Sequence, residues 1–209
     1  MSLAAATGDT VSHLDEATRL LVRLSAALAG GTEQLVRDEL QAAAVTTPHA
    51  WIEELLLQTY LFAGFPRALN AMREWRRIAP EPIGQSGSGA FREAGEETCR
   101  RVYGSMYERL RVNIRALHPL LDDWMIEEGY GKVLSRPGLD LQRRELCIVA
   151  ACAATGQDRQ LQSHLHGASN VGVPARVVTD ALAALRGAIS DAHLGRAERI
   201  WNRIRNDVH

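Results

Sequence analysis

Apolar residues recur along the chain at spacings of three and four positions, which is the period of an amphipathic α-helix. Two clear stripes lie in the first half of the chain: Leu20, Leu21, Leu24, Ala27 and Leu28, then Ile52, Leu55, Leu56, Thr59 and Tyr60. No stretch shows the strict alternation of apolar and polar residues that is typical of a half-buried strand. The pattern therefore predicts an all-α protein.

Glycine and proline fall between these apolar runs, where they indicate helix ends. They stand at Gly30-Gly31, Pro48, Gly64 to Pro66, Pro137-Gly138 and Pro174. Thr32 and Asp158 are suitable cap or first-turn residues for the helices that follow. The segment 79–90, APEPIGQSGSGA, has the proline, glycine and serine content of a linker. We therefore expect a first helical unit at 13–78 and a second at 91–207.

The two units are related in sequence. Sliding the chain against itself by 126 positions, without a gap, pairs a turn glycine, a turn proline and a tryptophan with identical residues: Gly30/Gly156, Pro48/Pro174 and Trp75/Trp201. Other identical pairs in the same register are Leu20/Leu146, Ala27/Ala153, Gln34/Gln160, Leu35/Leu161, Ala42/Ala168, Val45/Val171, Leu56/Leu182, Ala71/Ala197, Arg73/Arg199, Arg77/Arg203 and Ile78/Ile204. This set predicts an internal duplication, in which two helical units bury their apolar faces on each other.

Composition excludes several classes of function. The chain has 209 residues and a net charge of −1 with both signs mixed, so no nucleic-acid surface is expected. No run reaches the roughly 18 apolar residues that a membrane span needs, and MSLAAATGDTVSH lacks the features of a signal peptide. We therefore expect a cytoplasmic protein without membrane contact.

The cysteines suggest packing and not redox chemistry. Cys99, Cys147 and Cys152 form no CxxC motif and have no metal-ligand spacing. Two of them, Cys147 and Cys152, stand among apolar residues and are interpreted as core residues. We expect neither a metal ion nor another cofactor.

Candidate chemistry is concentrated in the segment 129–174. An apolar helix after the turn at Arg136-Pro137-Gly138 carries one acid, Glu145, and the polar helix after Thr155-Gly156 carries Gln157, Gln160 and His164. The last three share a helical face because their spacing is i, i+3 and i+7. Two helices joined by so short a break should pack antiparallel, which can bring Glu145 towards His164. An acid beside a histidine suits proton transfer.

The duplication confines this chemistry to the second unit. A shift of 126 positions places Arg19 opposite Glu145, Gly31 opposite Gln157 and Asp38 opposite His164. Among the four candidate residues, Gln160 alone has an identical partner, Gln34. If the segment is catalytic, the second unit performs the reaction.

The segments GYGKVLSRPGLDLQRREL and SHLHGASNVGVP resemble the carboxymuconolactone decarboxylase family, whose patterns are WGxxWxRPGLDxxxRxL and xHxRxALNxGVT. The first unit resembles the family's carboxy-terminal signature at Leu55 to Trp75, LLLQTYLFAGFPRALNAMREW. The resemblance covers most of 18–78 and about 91–204. It implies an alkylhydroperoxidase D-like all-helical fold, with a partial first copy and a more complete second copy.

The peroxidase branch of this family has the order Glu, eleven residues, Cys, two residues, Cys, three residues, His. Glu145 and His164 match the two ends of that order, but Gln157 and Gln160 occupy the cysteine positions. Without a thiolate there can be no disulfide exchange at these positions, so a peroxidase that depends on CxxC is disfavoured.

The decarboxylase branch keeps the histidine and has a glutamate four residues before it, where this chain has Gln160. A glutamine can hydrogen-bond a lactone or carbonyl oxygen but cannot take a proton, so the acid would be Glu145. The resemblance thus implies His164 and Glu145 as catalytic residues and Gln157 and Gln160 as pocket residues. A substrate carboxylate would be held by the forked guanidinium of Arg136, Arg143 or Arg144.

Three hypotheses follow for the function of the chain. The first is a cofactor-free lyase that acts on a small carboxylated lactone or related acid. The second is a non-catalytic, small-ligand-binding member with a degenerate site, and the third, disfavoured, is a thiol-dependent antioxidant enzyme. Single-copy relatives form trimers or hexamers, so the resemblance implies a homo-oligomer, with a trimer of the double-copy chain favoured.

Overall fold

The computed structural model describes residues 13–83 and 90–207, and the secondary structure there is helical apart from one isolated bridge between Arg186 and Ile189. The predicted all-α fold is confirmed. No helix in these two ranges is both long enough and apolar enough to cross a membrane. The amino-terminal residues 1–12 and half of the predicted linker, 84–89, lie outside the described residues.

The first unit contains α1 (Glu16–Gly30), α2 (Glu33–Thr46) and α3 (His49–Ile78). Asp15 caps α1 by accepting from the Thr18 N–H, and Thr32 caps α2 by accepting from the Leu35 N–H, as the sequence predicts for Thr32. The apolar stripes of these helices meet in a core that includes Leu21, Leu24, Leu40, Ile52, Leu55 and Trp75.

Helix α3 is interrupted within its length at Gly64. This glycine has φ 81° and ψ 162°, a backbone conformation that L side chains rarely adopt, and Pro66 follows it. Phe62 lies two residues before this break, which matters for the candidate site.

The second unit, 91–207, begins with four short helical segments: α4 (Phe91–Tyr103), a 3₁₀ turn (Gly104–Met106), α5 (Tyr107–Leu117) and α6 (Pro119–Trp124). A π-helical segment (Met125–Leu134) continues directly from α6. It packs tightly against α4, because a Cβ atom on Gly131 would lie 1.9 Å from the Phe91 carbonyl oxygen. Only glycine permits so close an approach of two helix backbones.

The second unit contains α7 (Leu141–Thr155), α8 (Asp158–Asn170), α9 (Ala175–Ala184) and α10 (Asp191–Asp207). Asp140 caps α7 by accepting from the Arg143 N–H. Gly156 ends α7 in the left-handed conformation with φ 67°, so the chain reverses and α8 packs back on α7.

Helix bounds follow the register of the sequence repeat. Shifting α1 by 126 positions gives 142–156, against 141–155 for α7, and shifting α2 gives 159–172, against 158–170 for α8. Helix α3 shifts to 175–204, the range of α9 and α10, and Gly64 falls at the break before α10. The layout fits the duplication, which itself stays a prediction.

Helices α1 and α7 form the contact between the units. The Ser25 hydroxyl donates to the Cys147 carbonyl oxygen at 2.7 Å, and Gly30 lies against Ala154. Helix α1 contributes to both hydrophobic cores, since Val22 and Ala26 pack in the second core while Leu21 and Leu24 pack in the first. The units 13–78 and 91–207 therefore share buried residues across α1.

Candidate active site

Glu145 and His164, the acid and histidine expected to approach each other, are joined by a hydrogen bond. Glu145 lies in the middle of α7 and His164 in the middle of α8, and the distance from Glu145 Oε2 to His164 Nδ1 is 2.8 Å. The Glu145 side chain is fully buried, and 8% of the His164 side chain is exposed. Residue spacing on two antiparallel helices is sufficient to bring these two side chains together.

The pairing orients the imidazole. With Glu145 ionised, its carboxylate accepts from the Nδ1–H of His164, and Nε2 becomes the nitrogen that exchanges protons. Nε2 forms no hydrogen bond with any residue that the structure describes. This geometry is typical of a histidine that is held by a carboxylate and acts as a general acid or base.

Helix α4 covers the pair, and Gly167 makes the close packing possible. A Cβ atom on Gly167 would lie 2.6 Å from Glu145 Oε2 and 2.8 Å from Val102 Cγ1. The Asn170 side chain fixes α8 to α4 by donating to the Val102 carbonyl oxygen at 2.7 Å. The pair is buried because α4 lies directly over it. Gly167 was missed as a site residue, although its place three residues after His164 puts it on the same helical face.

The second oxygen of Glu145, Oε1, is buried and has no hydrogen-bond partner among the described residues. Burial raises the pKa of Tyr103 to about 12, and it raises the pKa of Tyr130 well above its usual value; the charge of Glu145 adds to both shifts. Two neutral phenols therefore lie close to the Glu145 carboxylate. A buried polar atom without a partner is costly, so Oε1 is a position at which a bound donor would be stabilised.

Phe62 stands at the edge of His164. The two ring centroids are 6.1 Å apart and the ring planes meet at 84°. Behind Phe62 lies a cavity of about 10 Å³, lined by Gln58, Thr59, Ala63 and Ala151 among others, which is the size of a single water molecule. Phe62 therefore contacts the His164 ring on one side and lines this small cavity on the other.

The two glutamines do not join the pair. Gln157 is the residue that precedes α8 and Gln160 lies in its first turn, and both are exposed in the single chain. His166 also points to solvent, as predicted for a residue two positions after His164. That Gln157 and Gln160 line a pocket stays a prediction. Because both side chains are exposed, such a pocket would lie at the surface of the single chain.

Arg136 and Arg144, predicted to hold a substrate carboxylate, are bound to Glu54 instead. Arg144 is fully buried and donates to Glu54 Oε2 at 2.8 Å and to Gln58 Oε1 at 3.2 Å. Arg136 is mostly buried and donates to the same carboxylate at 3.0 Å. Glu54 comes from α3, so the three side chains form an ion pair between the units. A structural role fits Arg144, because a ligand could not reach it without displacing Glu54.

Arg143 is the third arginine of this segment and is also engaged. It donates to Asp15, Asp140 and the Thr18 hydroxyl, and its guanidinium lies 4.1 Å from the centroid of the Trp51 ring. These contacts fix the start of α7 against α1 and α3. The sequence could not reveal the partners, because Glu54 and Asp15 are 90 and 128 positions away from the arginines that they bind.

All three cysteines are buried and free. Burial raises the pKa of each of Cys99, Cys147 and Cys152 to about 12, so the thiolate is a minor species at neutral pH. The structure thus supports the interpretation of Cys147 and Cys152 as core residues. Within 13–83 and 90–207, no group of three or more His, Cys, Asp or Glu side chains is arranged to hold a metal ion.

Two comparisons with known proteins bear on the family. The model of the carboxymuconolactone decarboxylase family matches residues 119–200, a range that contains Glu145 and His164. The chain is also 28% identical over 138 residues to Peroxisomal protein 2 of Schizosaccharomyces pombe (strain 972 / ATCC 24843); the alignment covers 62% of this chain and 64% of that relative. The chain thus spans just under two thirds of the relative's length. The resemblance found in the sequence is thus confirmed over residues 119–200, which lie in the second unit.

Proposed function

We propose that the chain is a cofactor-free lyase that decarboxylates a small carboxylated lactone or a related acid. The observation that supports this function is the buried Glu145–His164 pair, whose Nδ1 is held by the carboxylate and whose Nε2 is unpartnered among the described residues. Such a pair can deliver a proton to carbon without a metal or an organic cofactor.

In the proposed reaction His164 begins as the imidazolium, stabilised by the Glu145 carboxylate at Nδ1. The bond between the substrate carbon and its carboxylate breaks, carbon dioxide leaves, and the electron pair remains on the substrate as an enolate. The Nε2 proton of His164 is then transferred to that carbon. The product carries one hydrogen in place of the carboxylate, and His164 recovers its proton from solvent.

Phe62 lies beside His164 and lines a cavity of about 10 Å³, so a substrate that bound on this side of His164 would displace the Phe62 ring. Phe62 lies two residues before the break at Gly64, which allows the end of the preceding helix to move with little loss of helical hydrogen bonding. Of Arg136 and Arg144, Arg136 retains partial exposure, so a substrate carboxylate would compete there with Glu54.

A direct test measures carbon dioxide release from a panel of carboxylated lactones and related acids, carboxymuconolactone among them. The wild-type chain should release carbon dioxide from at least one of them, and His164→Ala should lower that rate by about 10²–10⁴-fold. Equal rates for wild type and His164→Ala on every member of the panel would reject the lyase.

A second candidate is a ligand-binding member without turnover, which is favoured by Gln157 and Gln160, because these residues stand where the family's branches have cysteines or an acid. This protein would take up the same acids but release no carbon dioxide from them. Calorimetric titration with the panel separates the two functions: heat of binding without carbon dioxide release identifies the binding protein, and release that depends on His164 identifies the lyase.

We also propose that the chain forms a homo-oligomer, with a trimer favoured by the family resemblance. Large apolar side chains on α5 and α6 are exposed in the single chain, among them Leu117 at 73% and Trp124 at 56%. Exposed apolar residues on two adjacent helices are typical of an association surface. Light scattering should give a trimer for the wild type, and Leu117→Ser with Trp124→Ser should shift the protein to smaller species.

For the location we propose the cytoplasm, with the peroxisome as the alternative that the name of the Schizosaccharomyces pombe relative suggests. A fluorescent fusion of the chain, imaged together with a peroxisomal marker, distinguishes the two. Diffuse fluorescence supports the cytoplasm, and coincidence with the marker supports the peroxisome.

A further inference from the structure

A groove between α8 and α10 is rich in arginine. Neither Glu145 nor His164 lines it. It has a volume of about 210 Å³ and takes Arg159 from α8 and Arg196, Arg199 and Arg203 from α10. The three residues of α10 share a face of the helix because their spacing is i, i+3 and i+7. Four guanidinium groups from two helices thus surround one small depression.

Most of this positive charge is not compensated by the protein. Arg196 forms an ion pair with Asp158 at 3.4 Å. Arg159, Arg199 and Arg203 are exposed, and none of the three has a carboxylate partner in the described part of the chain. The groove therefore has a net charge of about +3, counted as four arginines and one aspartate.

In the corresponding groove of the first unit, between α2 and α3, carboxylates of the chain balance more of the arginine charge. This groove has a volume of about 300 Å³, and it is lined by four arginines and two acids: Arg37, Arg67, Arg73, Arg77, Glu33 and Glu74. Arg77 pairs with Glu74 at 2.7 Å, and Arg37 lies 3.9 Å from Glu33. Two of the four arginines thus have a carboxylate nearby, and the net charge of this groove is about +2.

At the positions of those two acids the second unit has different residues. The shift of 126 places Arg159 opposite Glu33 and Ile200 opposite Glu74. The second groove has thus exchanged one acid for a base and the other acid for an apolar residue. Its arginines are left available for an external anion.

The arginines themselves are common to both units. Arg73 and Arg77 correspond to Arg199 and Arg203, and all four are exposed. Packing explains why the intervening tryptophans, Trp75 and Trp201, are the same, since both are buried. It does not explain identical arginines on the solvent side. This point rests on the duplication; the charge of the second groove does not.

We propose that the groove between α8 and α10 binds a ligand through a diphosphate group. A guanidinium forms two parallel hydrogen bonds to phosphate oxygens, and three unpaired arginines match the several charges of two adjacent phosphates. No aromatic side chain lines the groove on which a base could stack. The groove therefore recognises the diphosphate group itself, whether this group is inorganic or part of a nucleoside diphosphate.

The test is calorimetric titration of the whole chain with inorganic diphosphate and, separately, with a nucleoside diphosphate. We expect binding of inorganic diphosphate that weakens between about 50 mM and about 500 mM salt, because the groove is exposed. Arg199→Gln with Arg203→Gln should weaken binding by about tenfold or more, and so should Arg159→Glu, which restores the acidic character of the first groove. Equal affinity for both ligands identifies the diphosphate alone, and tighter binding of the nucleotide identifies the nucleotide as its source.

Two matched variants complete the experiment. Arg205→Gln removes an exposed arginine of α10 that does not line the groove, and His164→Ala removes the proposed catalytic histidine; both should bind diphosphate like the wild type. The proposal is overturned if the wild type does not bind inorganic diphosphate, or if the Arg199/Arg203 variant and the Arg205 variant bind it equally. Neither outcome depends on whether the chain is a lyase.

Discussion

The two units of this chain, which are related in sequence, have corresponding helices in the same order, but they differ in the residues at one pair of corresponding positions and in the burial of those residues. In the second unit these positions hold Glu145 and His164, which are buried and hydrogen-bonded at 2.8 Å. In the first unit they hold Arg19 and Asp38, which make local contacts with Glu16 and Gln34 near the surface. Equal backbone layout is thus compatible with a buried polar pair in one unit and ordinary surface contacts in the other.

The first helices of the second unit, which the first unit lacks in the repeat register, explain the difference. Helix α4 and the π-helical segment at Met125–Leu134 pack on each other, and α4 lies on α8, where it covers Glu145 and His164. The repeat register gives these segments no counterpart among the described residues of the first unit. A covering element converts an acid and a histidine from surface residues into a desolvated pair, and desolvation strengthens the electrostatic interaction between them.

The largest expected effect is on the rate of carbon dioxide release when Glu145 of the second unit loses its charge. Glu145→Gln keeps the shape of the side chain but cannot stabilise the imidazolium of His164, so decarboxylation should fall by about 10²–10⁴-fold. The matched variant at the corresponding position, Arg19→Gln, should leave the rate unchanged. Steady-state rates of carbon dioxide release decide the point, and equal losses in both variants would mean that the units are not functionally distinct.

A second large effect concerns the contact between the units. Arg144→Ala leaves the buried carboxylate of Glu54 without its fully buried partner and should lower the free energy of unfolding by about 3–5 kcal/mol. The corresponding position of the first unit holds Thr18, whose hydroxyl bonds Asp15 and Arg143, and Thr18→Ala should cost about 1 kcal/mol. Urea unfolding measures both; a loss for Arg144→Ala no larger than that for Thr18→Ala would contradict the assigned structural role.

A smaller effect is expected where α8 touches the acid. Gly167→Ala places a methyl group 2.6 Å from Glu145 Oε2, which must shift, so we expect a loss of about 1–3 kcal/mol and a weaker Glu145–His164 hydrogen bond. The equivalent position in α2 is Gln41, which is exposed, and Gln41→Ala should change stability by less than about 0.5 kcal/mol. Thermal unfolding measures the stability of both variants. Equal losses would show that α8 is packed no more closely at Gly167 than α2 is at Gln41.

The smallest change concerns the thiols. Cys147 and Cys152 correspond to Leu21 and Ala26, which are buried core residues of the first unit. Because the cysteine pKa values are raised to about 12, the thiols stay protonated at pH 8 and alkylation of the native protein should be slow, rising with pH towards 12. Rapid labelling of the folded chain at pH 8 would reveal a reactive thiol and reopen the antioxidant hypothesis.

Much of the fold follows from local signals in the sequence. Apolar periodicity gave the helices, Gly30, Pro48, Gly156 and Pro174 gave their ends, and the spacing on α7 and α8 was enough to bring Glu145 to His164. These features depend on residues that are close in sequence or on the antiparallel packing of two consecutive helices.

The features that escaped prediction depend on distant contacts. Arg144 was assigned to a substrate because its partner, Glu54, is 90 positions away on a helix whose orientation the sequence does not specify. The exposure of Gln157 and Gln160 and the contact of Phe62 with His164 depend on how α3, α4 and α8 meet. Long-range packing of this kind cannot be deduced from periodicity alone.

We infer that the second unit holds a histidine whose Nδ1 is fixed by a buried acid and whose Nε2 is available for proton transfer. Nitrogen-15 NMR of the imidazole groups measures this directly, with the signals of His164 assigned by their loss in His164→Asn. We predict that neutral His164 carries its proton on Nδ1 when Glu145 is ionised, because the carboxylate accepts a hydrogen bond at this nitrogen. A neutral His164 that carries its proton on Nε2 and has a bare Nδ1 would contradict the claim.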